Sequence, residues 1–213
     1  MAFDLALRDG ALILDLGEPR RLLSSAPYRG GLTRSRWWIN HHVRLDFCDD
    51  AVDAWIGRRL AALQLPARAT TACLTAAYVE QHGRATIASG AVRAHAVVTA
   101  GLSNLSSAGL TPPWRRAGAS HTINACVLVE ASLPDAALVE LVQIVTETKT
   151  RLLTGSVTAD GHPATGTSTD TVTVVELGGP ASRYSGAVTD AGHAAARAFE
   201  DAYLRARAAR GEQ

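Results

Sequence analysis

From Arg36 to Phe47 the chain alternates with a period of two. Trp37, Ile39, His41, Val43, Leu45 and Phe47 fall on one face of an extended backbone, and Arg36, Trp38, Asn40, His42, Arg44 and Asp46 on the other. A helical period of 3.6 would scatter the same residues around its axis, so this segment predicts a half-buried strand and commits the chain to a sheet. Asp9-Gly10, set between the apolar segments 3–8 and 11–16, predicts a hairpin ahead of it. Further strands are read at 69–76, 84–89, 92–100, 122–129 and 171–175, and helices at 50–63, 135–153 and 190–207, the last capped by Thr189 or Asp190. Pro112, Pro113 and Trp114 mark a loop. Hairpins first and helices interspersed point to an α+β fold: one domain, a mixed and largely antiparallel sheet, and about three covering helices. A doubly wound parallel sheet is the other topology this order allows.

Composition excludes several classes. At 213 residues with 47% hydrophobic and 19% charged residues, the chain can bury a core. A formal net charge of +1 gives no electrostatic case for nucleic acid or an anionic membrane. No apolar run approaches the roughly 20 residues of a membrane span, and the first ten residues lack the apolar stretch of a secretory signal. Cys48, Cys73 and Cys126 are odd in number and scattered, which suits a reducing cytoplasm better than a disulfide framework or a zinc site. His-Glu-x-x-His, Cys-x-x-Cys and Gly-x-Ser-x-Gly are all absent. The run Gly161 to Ser168 has Walker-like glycine spacing, but Thr167 stands where the phosphate-binding lysine belongs and Pro163 removes a backbone donor. Nucleotide hydrolysis is thereby excluded; an anion-binding nest is not.

Two features stand out chemically. Ala164 to Asp170 packs Thr165, Thr167, Ser168, Thr169 and Asp170 around Gly166, directly before a β-branched strand. A solvated turn and a hydrogen-bonding site both fit that composition. On the wheel of helix 135–153, Leu138, Leu141, Val142, Val145 and Leu152 form an apolar stripe with Lys149, the only lysine, in its middle. An ammonium there needs a partner, a depressed pKa or a route to water along its own stem. Glu147 falls on the opposite face with Glu140, Gln143 and Arg151, at the spacing of a surface pair with Arg151. His41 sits on the apolar face of its strand, where a histidine is ordinarily a hydrogen-bonded core residue. His42, on the other face, is the better site candidate of the two. His121, His162 and His193 lie in or beside loops and can serve as acids or bases near neutral pH.

Four segments in order resemble the adenosylcobinamide amidohydrolase (CbiZ) family: Thr99 to Asn104, Thr122-Ile123-Asn124, Glu147-Thr148-Lys149 and Ala164 to Asp170. Ser25-Ala26 with Gly30-Gly31, Ile39-Asn40 with Val43, and Tyr184, Gly186 and Gly192 extend the resemblance over residues 24 to 203. The chain departs from the family pattern at His121, where a glycine is usual, and at Thr148, where an alanine is usual. A histidine at 121 narrows a pocket, shifts corrinoid preference or adds a proton-transfer group. The resemblance implies hydrolysis of the amide that joins aminopropanol to the corrin ring, giving adenosylcobyric acid in corrinoid salvage. It implies Asp170, Lys149, Asn124 and Glu147 as catalytic candidates. Substrate-binding candidates are Thr165, Thr167, Ser168, Thr169, Ser103, Asn104, Asn40, His42 and His121. Cobalt would enter within the corrinoid substrate, with no resident cofactor or protein-bound metal. The rival from another class is a corrinoid-binding protein without hydrolytic activity.

Overall fold

The computed structural model of the protein describes residues 3–113 and 121–211; Trp114, read above as part of a loop, lies outside them. In chain order the elements are β1 (Asp4–Arg8), β2 (Ala11–Ser24), β3 (Gly31–His42), α1 (Val52–Ala62), β4 (Thr70–Thr75), β5 (Gly83–Ser89), β6 (Val92–Ala100), β7 (Leu105–Ser106), β8 (Ile123–Val129), α2 (Asp135–Leu152), β9 (Gly166–Thr167), β10 (Thr171–Glu176) and α3 (Asp190–Ala209). The expected hairpin forms: Arg8 pairs with Ala11, and Asp9 and Gly10 both take positive φ, 50° and 72°, as a tight two-residue turn requires.

The main sheet runs β4-β3-β2-β10-β8-β6-β5, with β1 beside β2. Only β3–β4 and β8–β10 pair in parallel, so the doubly wound topology is excluded. The register of β2 against β3 shifts between Asp15 and Arg20. Gly17, at φ 78° and with its N–H on Asp15 Oδ1, makes the bend. β2 pairs with β3 on both sides of this shift; its first half also pairs with β1, and its last residues, Leu22 to Ser24, also pair with β10. β2 therefore joins two layers of one folded-over sheet. The core shows the fold-over directly. Cys73 on β4 and Cys126 and Leu128 on β8, four places apart in strand order, share one buried cluster with Leu12, Leu14, Trp38 and Val97.

α1 covers the outer face of β2, β3 and β4 through Ile56 and Leu60. α2 and α3 cover the outer face of the other layer. The face that α3 turns to the sheet is mostly alanine, with Phe199 and Tyr203 as its large residues, and this permits close approach. A Cβ on Gly83 of β5 would lie 1.8 Å from the Ala202 carbonyl oxygen. Thr189 caps α3, its Oγ1 accepting from Gly192 N at 3.1 Å.

Two expectations change. The strand read over 36–47 ends at His42, and its supposed solvent face is buried: Trp38 and Asn40 are both 0% exposed. That face meets the second sheet layer, which a single strand's pattern cannot reveal. α1 begins at Val52, not Asp50, because Asp49 Oδ1 takes the Ala51 N–H at 2.7 Å and holds the chain in a turn.

Candidate active site

Lys149 comes off the last turn of α2, where the helix dipole favours a cation, and faces the sheet. One turn away on its own helix lie Val145, Thr146 and Leu152, none of them charged. Its partner is Asp170: Lys149 Nζ donates to Asp170 Oδ2 at 2.5 Å, and the two side chains are only 10% and 9% exposed. The same carboxylate accepts Thr167 N–H at 3.0 Å on Oδ2. Its Oδ1 accepts Ile123 N–H, the first of β8, at 2.9 Å, and the Thr167 hydroxyl. Thr122 Oγ1 reaches Oδ1 at 3.5 Å. A carboxylate offers about four lone-pair positions, and here each has a donor.

Gly166 is what allows this density. A Cβ there would sit 2.5 Å from Asp170 Oδ2 and 2.8 Å from Lys149 Nζ. The strip β7–β9 fixes the loop, pairing Leu105 with Thr167 and Ser106 with Gly166. Thr165 serves the same end: its N–H donates to Ser106 O, its Oγ1 accepts from Ala108 N, and its carbonyl accepts from Thr150 Oγ1. Asn104 Nδ2 donates to Ser168 Oγ at 2.6 Å, and Asn104 Oδ1 is buried without a hydrogen-bond partner among the described residues.

Asn40 and Asn124 lie deeper, between the layers. Asn124 Nδ2 donates to Asn40 Oδ1 at 2.9 Å and to Leu74 O at 2.8 Å, and Asn40 Nδ2 donates to Thr99 Oγ1 at 2.7 Å. Both residues are fully buried, with these partners drawn from β3, β4, β6 and β8. They position the walls of the site; neither lines an open cleft. Thr122, part of the Thr122-Ile123-Asn124 segment but not among the candidate site residues, links Asn124 to the ion pair, since its hydroxyl lies within 3.4 Å of Asn124 Oδ1 and 3.5 Å of Asp170 Oδ1.

Other candidates sit elsewhere. Glu147 is exposed on the outer face of α2 and lines neither cleft described below; Arg151 pairs with Glu200 in its place. His42 packs behind the cleft wall, its Nδ1 on Ala77 O at 3.1 Å and its ring stacked on Tyr78. His121 is held by Ser103 (Nδ1 to Oγ, 2.5 Å) and leans on Gly101, where a Cβ would meet its own at 2.7 Å. It precedes Thr122, whose hydroxyl reaches Asp170 Oδ1. His193 is on the exposed face of α3. Burial lowers the pKa of His41, whose Nε2 accepts from Arg59 Nε at 2.9 Å. Burial likewise pushes the Cys73 thiol up to about 12 and the Cys126 thiol upward, so neither is a nucleophile at neutral pH. Among the described residues, no group of three or more His, Cys, Asp or Glu could hold a metal ion.

Two clefts meet at Thr169 and Asp170. One, of about 490 Å³, runs toward α1 and is walled by Pro27, Val43, Phe47, Leu74 and Ala76, with Asp49 and Asp50 at its rim. The other, of about 850 Å³, is lined by Ser106, Ser107, Thr111, Thr146, Thr150 and the 165–170 loop, with Lys149 as its cation. The ion pair forms the ridge between an apolar cleft and a hydroxyl-lined one.

The folded-over α+β sheet with helices outside both layers resembles solved structures. The protein PH0078 from Pyrococcus horikoshii OT3 matches over 95% of this chain and 78% of its own at a TM-score of 0.53 and 12% identity. A Burkholderia sp. β-aminopeptidase matches over 98% and 81% at 0.53 and 16%. At those identities the likeness is one of fold. The sequence defines the family: residues 3–213 match the profile described as adenosylcobinamide amidohydrolase (CbiZ). A Halobacterium salinarum adenosylcobinamide amidohydrolase is 31% identical over 199 residues, covering 90% of this chain and 81% of that protein. The chain belongs to the adenosylcobinamide amidohydrolase family.

Proposed function

We propose that the protein hydrolyses the amide between the corrin ring and the aminopropanol arm of adenosylcobinamide, with the Lys149–Asp170 pair at the reacting centre. The observation that carries this reading is the 2.5 Å pair on a ridge between two clefts, inside the hydroxyl-rich loop. An amide laid across the ridge puts its carbonyl oxygen near the Lys149 ammonium, which offsets the charge that develops as the tetrahedral intermediate forms. Water is the nucleophile. Its proton goes to Asp170 Oδ1 when the Thr167 hydroxyl rotates away and opens that lone pair. The same proton then passes to the leaving nitrogen as the carbon–nitrogen bond breaks, and the second water proton follows from the new carboxylic acid to the amine, giving a carboxylate on the ring and an ammonium on the departing arm. His121, one residue before Thr122, is a second proton donor for that step. Asn104 Oδ1 supports corrinoid binding, because a buried acceptor without a donor is satisfied by an amide N–H of a corrin arm. Cobalt arrives as part of the substrate, and a reducing cytoplasm suits three cysteines outside any disulfide. No helix among the described residues is long and apolar enough to cross a membrane.

The test is direct. Purified protein incubated with adenosylcobinamide is expected to yield adenosylcobyric acid and 1-amino-2-propanol by mass spectrometry. A tight complex with no product would overturn hydrolysis in favour of corrinoid binding alone. A covalent corrinoyl-enzyme would overturn direct attack by water.

A further inference from the structure

The two clefts differ in a way that assigns the halves of a cleaved amide. The larger presents hydroxyls and a lysine, suited to a macrocycle with many amide arms. The smaller has an apolar wall, and the charged side chains lining it are Asp49, Asp50 and Asp170; no lysine or arginine lines it among the described residues. Asp170 is paired with Lys149, and one Asp49 oxygen takes the Ala51 N–H, so the rim keeps a net negative field. A second feature points to a ligand. Thr171 is 6% exposed and lines this cleft, and the one partner its buried Oγ1 has among the described residues is the Cys73 sulfur, a weak acceptor. The Cys73 thiol beside it is committed to the Ile39 carbonyl at 3.3 Å. A hydroxyl partnered only by a sulfur, next to the reacting ridge, gains a stronger partner from a hydroxylated leaving group.

We propose that this cleft, bounded by Val43, Phe47, Asp49, Asp50, Leu74 and Thr171, is the leaving-amine subsite, and that its charge selects arms ending in a neutral hydroxyl over arms carrying a phosphate. The inference rests on the amidohydrolase reading above. Its chemistry is that of a short amino alcohol. The methyl and methylene groups lie on the apolar wall, the hydroxyl meets Thr171 Oγ1, and the amine leaves as an ammonium drawn to Asp49 and Asp50. The cleft's 490 Å³ exceeds the size of aminopropanol several-fold, so bulk does not exclude a phosphate. Like charge does, because a phosphate dianion facing two carboxylates is repelled.

The experiment compares kcat/KM for adenosylcobinamide and adenosylcobinamide phosphate with the whole protein. We expect a preference of at least about fivefold for the unphosphorylated substrate at low salt, shrinking as salt screens the rim. The Asp49→Asn, Asp50→Asn double variant is expected to cut that preference to about twofold or less. Equal rates in the wild type, or a preference for the phosphate, would overturn the assignment while leaving hydrolysis intact. Thr171→Val gives an independent readout. It should raise KM for adenosylcobinamide by about threefold or more and leave KM unchanged for the corresponding propylamide, which lacks the hydroxyl. Unchanged KM for both would remove Thr171 from the subsite. Product from neither substrate would overturn the amidohydrolase reading itself, and the proposal with it.

Discussion

Replacing Asp170 with asparagine separates what the Lys149–Asp170 pair does for folding from what it does for chemistry. At 2.5 Å and an effective dielectric constant near 20, the gross attraction is about 7 kcal/mol, and burial of each ion offsets several of those. The net worth of the pair is therefore small, but the cost of breaking it is not. Asp170→Asn leaves an ammonium on the apolar face of α2 with a neutral neighbour. Whichever way the new amide turns, its NH2 group confronts N–H donors: Lys149 and Thr167 on one side, Ile123 on the other. The expected loss is about 3–5 kcal/mol, a fall in Tm of roughly 6–20 °C for a chain of this size. Combining it with Lys149→Met removes the stranded charge and fills the same space with apolar atoms. Stability should then return to within about 2 kcal/mol of the wild type. Turnover should not return, staying at least about tenfold down in the single and the double variant. Denaturant unfolding and product formation measure the two effects separately. A single variant within about 1 kcal/mol of the wild type would show that Lys149 has another route to partner or solvent. Recovery of turnover in the double variant would reduce the pair to scaffolding.

Two further outcomes test the surroundings of the pair. Gly166→Ala places a methyl group on the pair itself and should cost about 1–3 kcal/mol from overpacking and at least about tenfold in turnover. Wild-type turnover in a folded Gly166→Ala protein would mean that the pair need not be so close. The second concerns pH. His41 is held neutral by burial, with Nε2 accepting from Arg59, Nδ1 against the His42 carbonyl and the Trp55 ring edge-on. Its folded pKa lies below 6.5, so the unfolded chain binds its proton first as pH falls. The stability it contributes is complete above 6.5 and is lost as pH drops through the folded pKa. His41→Gln, which cannot charge, should show a shallower loss of unfolding free energy below pH 6.5 than the wild type. Equal slopes would count against this account.

Much of the fold was legible because its signals are local. Asp9-Gly10, the cap at Thr189 and the stripe of α2 each act over a few residues, and the hairpin turn, α3 and α2 form where expected, although β2 runs on past residue 16 to Ser24. The wheel also exposed the anomaly at Lys149, and the structure supplies the partner that an ammonium on an apolar stripe demands. Glu147 shows the opposite case. The resemblance placed it with the catalytic candidates, but the wheel put it on the outer face, and there it lies, outside both clefts. Thr122 lay inside a segment that carries the resemblance without being singled out, and Thr171 and Asp49 carried no signal in the sequence, since a threonine in a strand or an aspartate ahead of a helix is ordinary.

The sequence by itself determined the elements, the family, and the presence of one charge that its own helix could not satisfy. Only the tertiary structure decided which groups meet. Lys149 and Asp170 are 21 residues apart and Asn40 and Asn124 are 84 apart. Periodicity records which way a side chain points from its own backbone. The partner it meets depends on where β2 bends and how the sheet folds over, and those follow from the packing of all the elements at once.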